Sequence, residues 1–296
     1  MALSSQPAIL VTGATGNVGR NVVSQLLELG LPVRALSRNP ETANLPSRTK
    51  VVQGDLSAPV FLEPSLANIE KVFLLCRGYS LPEIPALIEV LAKHVREIVF
   101  LSSSAIQNDL PVQTNPIGRI HLEVEQAIRR SGVKWTFLRP GAFAPNALSW
   151  WAPQLRSGNL LRWPYARAAW APIHERDIAA VAVRALAENG HAGKTYFLTG
   201  GQVLTQEEQL RAIGDAIGRT LTYKELSPDD AKKEMSTSMP PFVVDRLLDI
   251  WARMVDTPGP VSGVVEEVTG HPASTFHQWA LEHASEFQIT TGGTQR

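Results

Sequence analysis

The chain has 296 residues, 44% of them apolar and 19% charged, enough for one large domain or two coupled ones. Lysine plus arginine equals aspartate plus glutamate at 28 each, which argues against nucleic-acid or anionic-membrane partners, both held largely by basic patches. Cys76 is the only cysteine, so no internal disulfide forms, and a reducing, cytoplasmic setting fits.

The opening residues, MALSSQPA, lack the basic region of a signal peptide. No apolar stretch approaches the ~20 residues that span a bilayer. The first strand-like run, AILVTG, leads into GATGNVG, where Gly13, Gly16 and Gly19 recur every third residue before a helix with the stripe Val22, Leu26, Leu29. Such a loop turns tightly and lets backbone approach a pyrophosphate. The phosphates then meet free N–H groups at the helix start. Thr15, Asn17 and Val18 complete this candidate cradle.

The second run, PVRALS, ends at Ser37-Arg38, where an NAD site usually places an acid for the ribose hydroxyls. An arginine pairs instead with a 2′-phosphate, so NADP(H) is expected over NAD(H). KVVQGDL ends at Asp55-Leu56, expected beside the adenine. KVFLLC follows, with Cys76 read as a small core residue. Next comes a helical stripe of Ile84, Leu87, Ile88, Leu91 and Val95. EIVFLSSS is the fifth run.

In the following helix, Ile117, Val124 and Ile128 share one stripe, and His121 interrupts it. Two roles fit His121: a neutral core residue bonded to a neighbour such as Glu125, or a site residue oriented by Glu125. KWTFLRP is the sixth run. Residues of about 145–172 then lose periodicity and gather Trp150, Trp151, Trp163, Tyr165 and Trp170. These aromatics either wall a flat substrate pocket or anchor an irregular segment on the core. Arg156, Arg162 and Arg167 lie among them. A helix with Ile178, Val181, Ala182, Ala185 and Leu186, capped by Asp177, precedes the seventh run, KTYFLTG. Beyond about residue 201 the chain is mainly helical, and the tail TTGGTQR reads as frayed.

This strand–helix alternation predicts an α/β fold: a doubly wound parallel sheet of Rossmann type with a smaller, mainly helical substrate-binding cap. Residues 1–145, completed by about 173–200, form the dinucleotide-binding core. Residues of about 146–172 and 201–296 form the substrate-binding insertion and cap. No metal motif is present.

GATGNVGR, GDL, FLSSSAI, SGVKWTFLRPGAF, IHERDIAAVAVRAL, KTYFLTG and EEVTGHPASTFHQWA together resemble the NmrA-like branch of the atypical short-chain dehydrogenase/reductases. That resemblance implies an NAD(P)H-dependent oxidoreductase, because the branch includes reductases of quinones, triphenylmethane dyes and other conjugated acceptors. It also includes dinucleotide-binding redox sensors without known turnover. It implies Ser104 as the site serine, Ser102, Pro140 and Gly141 as cofactor contacts, and Phe143 and Asn146 toward the pocket, where Trp150 and Trp163 of the aromatic stretch and His174 are further candidates. For His174, packing at a helix start is the competing reading. The resemblance also exposes a departure. The family's tyrosine and lysine positions fall on Ile117 and His121, so the Tyr-Lys mechanism does not carry over.

Hydride transfer to a simple ketone makes an alkoxide about as basic as hydroxide, whose conjugate acid has a pKa of ~15.7. Transfer to a quinone or enone makes a phenolate or enolate, and a phenol has a pKa of ~10. The ~6-unit difference is ~8 kcal/mol of anion stability that the protein need not supply. Ser104 and His121 without a tyrosine therefore suit a conjugated, aromatic acceptor of quinone, enone or imine type. A dinucleotide-sensing interaction protein and a non-redox cyclase or dehydratase are the alternatives. The expected partner is a small molecule, with the protein a monomer or homodimer.

Overall fold

The computed structural model describes residues 6–76, 83–110 and 113–289, so most of MALSSQPA and all of TTGGTQR lie outside the described residues. They form two compact units. The first comprises the chain up to Gly141 together with Glu175–Leu198 and Val264–His271; the second comprises Ala142–His174, Thr199–Gly263 and the residues from Pro272 onward.

The first unit is a Rossmann-type α/β sandwich. Its elements are β1 (Ala8–Val11), α1 (Asn17–Glu28), β2 (Val33–Ser37), β3 (Lys50–Gln53), β4 (Ile69–Leu74), α2 (Ile84–His94), β5 (Glu97–Leu101), α3 (Pro116–Arg130), β6 (Lys134–Pro140), α4 (Glu175–Ala187), β7 (Lys194–Leu198) and α5 (Val264–Thr269). All seven apolar runs pair in one sheet of order β3-β2-β1-β4-β5-β6-β7, every pairing parallel. Helices cover both faces of such a sheet, which is why its strands lack polar alternation. Every residue of β5 is buried.

The order reverses between β1 and β4, which makes that edge the switch point where ligands of such sheets bind. Helix α1 packs on α4 and on β1 and β2, and buries Val18, Val22, Val23, Leu26 and Leu27. Leu29, placed in the stripe from spacing, is 58% exposed because the helix ends at Glu28. Asp177 lies inside the first turn of α4 rather than capping it, since the helix begins two residues earlier. Asn115 is the side-chain cap of α3, its carboxamide oxygen accepting from the Ile117 N–H at 2.9 Å. Helix α5, read from sequence as part of the cap, contacts α4 and β7 in the first unit.

The second unit is mainly helical, with two small two-stranded sheets. Leu160–Trp163 runs parallel to Thr222–Glu225, and Ala169–Trp170 runs antiparallel to Leu204–Thr205. Capping boxes start the helices Gln206–Ile217 (Thr205 with Glu208) and Phe276–Glu282 (Thr275 with Gln278). Trp151, Trp163, Trp170, Trp251, Trp279 and Phe287 dominate its core.

Candidate active site

The cradle begins at Thr12. Its Oγ1 accepts from the Leu75 N–H at 2.7 Å, and its own N–H donates to the Phe73 carbonyl at 3.0 Å, tying the ends of β1 and β4 at the switch point. Gly13 follows at φ +60°, a left-handed conformation that disfavours a side chain. The Gly16 N–H then closes back on the Gly13 carbonyl at 3.0 Å. A Cβ on Gly19 would stand 2.1 Å from the Gly13 oxygen, so helix and loop touch through backbone alone.

Helix α1 has no side-chain cap and no acidic residue in its first turn. Its first N–H groups lack intrahelical acceptors and carry the positive end of the helix dipole. That is an anion site, and it fits a pyrophosphate. A cavity of about 450 Å³ extends from it, lined by Gly13, Thr15, Ser37, Arg38, Asp55 and Leu56.

Arg38 is exposed, and its guanidinium makes no hydrogen bond among the described residues. Asp55 Oδ1 accepts from the N–H and hydroxyl of Ser57 at 3.0 and 2.9 Å. Those bonds hold its carboxyl below the usual range, with Arg38 a smaller contributor. This arrangement fits the adenosine half of a dinucleotide with Arg38 free to meet an added phosphate. The residues that would hold the group are those of the loop, Arg38 and Asp55.

The other residues expected from sequence lie on α3 and at the ends of β5 and β6. Ser104 is exposed, and its N–H donates to the Pro140 carbonyl at 3.1 Å. The Gly141 N–H donates to the Leu198 carbonyl at 2.8 Å. Ser102 is 4% exposed and its hydroxyl donates to Glu125 at 2.6 Å, so its side chain is committed to the interior.

His121 is half-buried, 6.0 Å from the Phe100 ring. Its Nδ1 lies 2.8 Å from the Ile117 carbonyl. A carbonyl only accepts, so Nδ1 carries the proton and the neutral ring presents Nε2 as an acceptor. Burial pushes its pKa below 6.5, against smaller upward effects of the Ile117 bond and the Glu125 charge. The expected partnership with Glu125 is not formed. That carboxylate receives Arg139 Nε at 2.8 Å and Nη2 at 2.6 Å instead. Arg139 outcompetes a histidine because a guanidinium matches both carboxylate oxygens at once.

In the second unit, Phe143 and Asn146 are half-buried, Phe143 bridging to Ile173. Trp163 is 4% exposed and belongs to the core, whereas Trp150 is half-buried at the edge of that cluster. Trp251, which no sequence signal singled out, contacts Trp150, Trp163 and Trp170 with ring centroids 5.4, 5.7 and 6.4 Å apart. His174 is 3% exposed with Nε2 3.1 Å from Glu282, which favours packing over an open pocket position. Arg156 and Arg162 pair with Glu286 and Glu234. No helix among the described residues is long and apolar enough to cross a membrane, and none of their His, Cys, Asp and Glu clusters could hold a metal.

A parallel sheet with an uncapped helix and a glycine cradle at its switch point defines a dinucleotide-binding protein. The chain belongs to the NAD(P)H-binding family, which matches residues 13–189, and is of the NmrA-like atypical short-chain dehydrogenase/reductase type, an oxidoreductase class. It is 39% identical over 282 residues to a (4-alkanoyl-5-oxo-2,5-dihydrofuran-3-yl)methyl phosphate reductase of Streptomyces griseus, covering 94% of this chain and 99% of that one. It is 34% identical over 293 residues to an NAD(P)H azoreductase of Xenophilus azovorans, covering 94% and 99%. The NADPH-dependent quinone oxidoreductase of Escherichia coli, solved with NADPH, superposes with a TM-score of 0.76 at 26% identity, covering 93% of this chain and 99% of that one.

Proposed function

We propose that this protein is an NADPH-dependent reductase that transfers hydride to a conjugated acceptor of quinone, enone or imine type, without the Tyr-Lys pair. The observation that carries this reading is the row of α3: Ile117 where the acid would stand, and His121 with its proton turned back onto the Ile117 carbonyl. Neither residue can protonate an alkoxide. A bound NADPH supplies the hydride. Ser104 offers an exposed hydroxyl to the oxygen or nitrogen on which charge develops. His121 Nε2, left as an acceptor by the Ile117 bond, would hold a ribose hydroxyl of the cofactor. Pro140 and Gly141 would form the turn that holds the nicotinamide.

The relatives support this reading. One is named for a quinone, one for an azo compound, and one for a ring alkene conjugated to two carbonyls. Each acceptor delocalises the charge that hydride brings. The free Arg38 supports NADPH over NADH.

NADPH oxidation against a panel of quinones, cyclic enones, imines and saturated ketones tests the proposal. Conjugated acceptors are expected to exceed the ketones by at least ~10³-fold in kcat/KM, part of the ~8 kcal/mol difference in anion stability. Efficient reduction of an isolated aliphatic ketone would overturn it. NADPH binding without turnover of any panel member would favour the sensor reading.

His121→Ala has a two-part expected outcome. Turnover falls about tenfold or more, the usual scale for a lost contact at a reacting site. Stability at pH 8 stays within about 1 kcal/mol, because the Ile117 carbonyl already belongs to the helical ladder and is not orphaned. The pH dependence adds a sign. Burial lowers the folded-state pKa, so the unfolded chain binds the proton first as pH falls below 6.5. The stability linked to neutral His121 is full above 6.5 and is lost as pH falls through the folded value. The variant should therefore show a flatter decline of Tm from pH 7 to 5. His191, also lowered by burial, keeps its share of the slope in both proteins. An unchanged slope together with unchanged turnover would remove both roles from His121.

A further inference from the structure

We propose that the buried Glu125–Arg139 pair is the positioning unit of the nicotinamide end of the site, holding Ser104, His121 and the Pro140-Gly141 turn in register while leaving the adenosine end untouched. The proposal rests on the assignment of those residues under Proposed function.

The side chains of Glu125 and Arg139 are 1% and 9% exposed. Glu125 Oε1 accepts from Arg139 Nε at 2.8 Å and from the Ser102 hydroxyl at 2.6 Å, and Oε2 accepts from Arg139 Nη2 at 2.6 Å. Arg139 Nη1 donates to Asn108 Oδ1 at 2.7 Å. One ion pair thus joins three pieces of chain: α3, the end of β6, and the loop between β5 and α3, held at both Ser102 and Asn108. Each piece carries a site residue within four positions. His121 is one turn before Glu125, Ser104 is two residues past Ser102, and Pro140 adjoins Arg139.

The joined pieces also touch directly. A Cβ on Gly118 would lie 2.5 Å from the Ala105 carbonyl oxygen, so the first turn of α3 rests on the serine loop. Gln113 pins that loop by accepting from the Gln107 N–H at 2.8 Å and donating to the Gln107 carbonyl at 2.7 Å. The Ser102 N–H reaches the Leu138 carbonyl at 2.7 Å. By contrast, Arg38 and Asp55 sit beyond β2 and β3 and share no hydrogen bond with the network.

A buried ion pair contributes little net stability compared with apolar side chains of similar volume, because desolvation offsets the attraction. What apolar side chains cannot do is aim Ser102 and Asn108. The pair is therefore separable by experiment from its packing.

Two variants make the test. Arg139→Lys keeps the charge but loses the fork and the reach to Asn108. The double variant Glu125→Met with Arg139→Met replaces the pair by apolar groups and leaves no buried charge alone. Each is compared with wild type for Tm, calorimetric affinity for adenosine 2′,5′-bisphosphate, fluorescence of bound NADPH, and kcat with a quinone at saturating NADPH. Both variants should hold the bisphosphate within about threefold, under 1 kcal/mol. Both should lose the fluorescence change that wild type gives NADPH, and kcat should fall ~100-fold, the scale of an ångström of misplacement. A double variant that keeps the fluorescence change and kcat would show the pair to be structural only. Equal weakening of the bisphosphate and NADPH would show a general effect and also overturn the proposal. If wild type itself binds no NADPH, the functional reading fails first, and the inference falls with it.

Discussion

Gly19→Ala is expected to abolish tight binding of NADPH and NADH alike. The added Cβ would stand 2.1 Å from the Gly13 oxygen, 2.7 Å from its carbon and 3.0 Å from Ala14 Cα, all of them backbone atoms. No side chain can rotate away to make room. Either the helix start or the phosphate loop must shift, and both belong to the cradle. Overpacking of this kind costs about 1–3 kcal/mol. If the shift falls on the loop, both dinucleotides weaken by roughly 5- to 150-fold. A modest drop in Tm accompanies it, since Gly19 lies on the buried face of α1. Titration of both cofactors and a melting curve check the result. Unchanged affinities with an unchanged Tm would mean that the loop does not carry the phosphates.

Arg38→Ala should separate the two cofactors instead. The guanidinium is exposed and unpaired among the described residues, so its removal orphans no partner and leaves Tm unchanged. A charge-assisted contact to a 2′-phosphate contributes about 1.5–3 kcal/mol. NADPH binding should weaken by roughly 10- to 150-fold while NADH binding stays within about twofold. Asp55 sharpens the contrast. Its carboxylate lies near enough to attract Arg38, so without the arginine a 2′-phosphate faces an acid alone. Equal losses for the two cofactors, or a wild type that prefers NADH, would contradict the assignment.

The fold was legible because its strands are short, largely apolar runs alternating with helical stripes, the pattern that a parallel sheet covered on both faces favours. The cradle was legible because its glycines answer to local steric rules at fixed spacing. The end proposed for the nicotinamide rests on position in the sequence alone. Spacing along α3 pairs Glu125 with His121, four residues away. The actual partner, Arg139, lies across the turn into the next strand, and only the sheet brings it under the helix. Trp163 shows the same limit. Its aromatic neighbours in sequence fit either a pocket wall or an anchor on the core, and the choice rests on the helix Pro241–Asp256, which supplies Trp251 to the buried cluster. Pairings set by three-dimensional neighbours leave no periodic trace in one sequence.

The segmentation of the first unit has a consequence for how the chain comes to its native state. Its dinucleotide-binding half is assembled from three stretches, the last being Val264–His271. Synthesis from the N-terminal side therefore delivers the glycine loop well before the closing helix. Until that helix emerges, α4 and β7 lack the element that covers them. A nascent chain stalled before residue 264 would hold a cradle without its full scaffold. Removal of Val264–His271 is then expected to destabilise the dinucleotide-binding unit, although none of these residues lines the cavity beside the glycine loop.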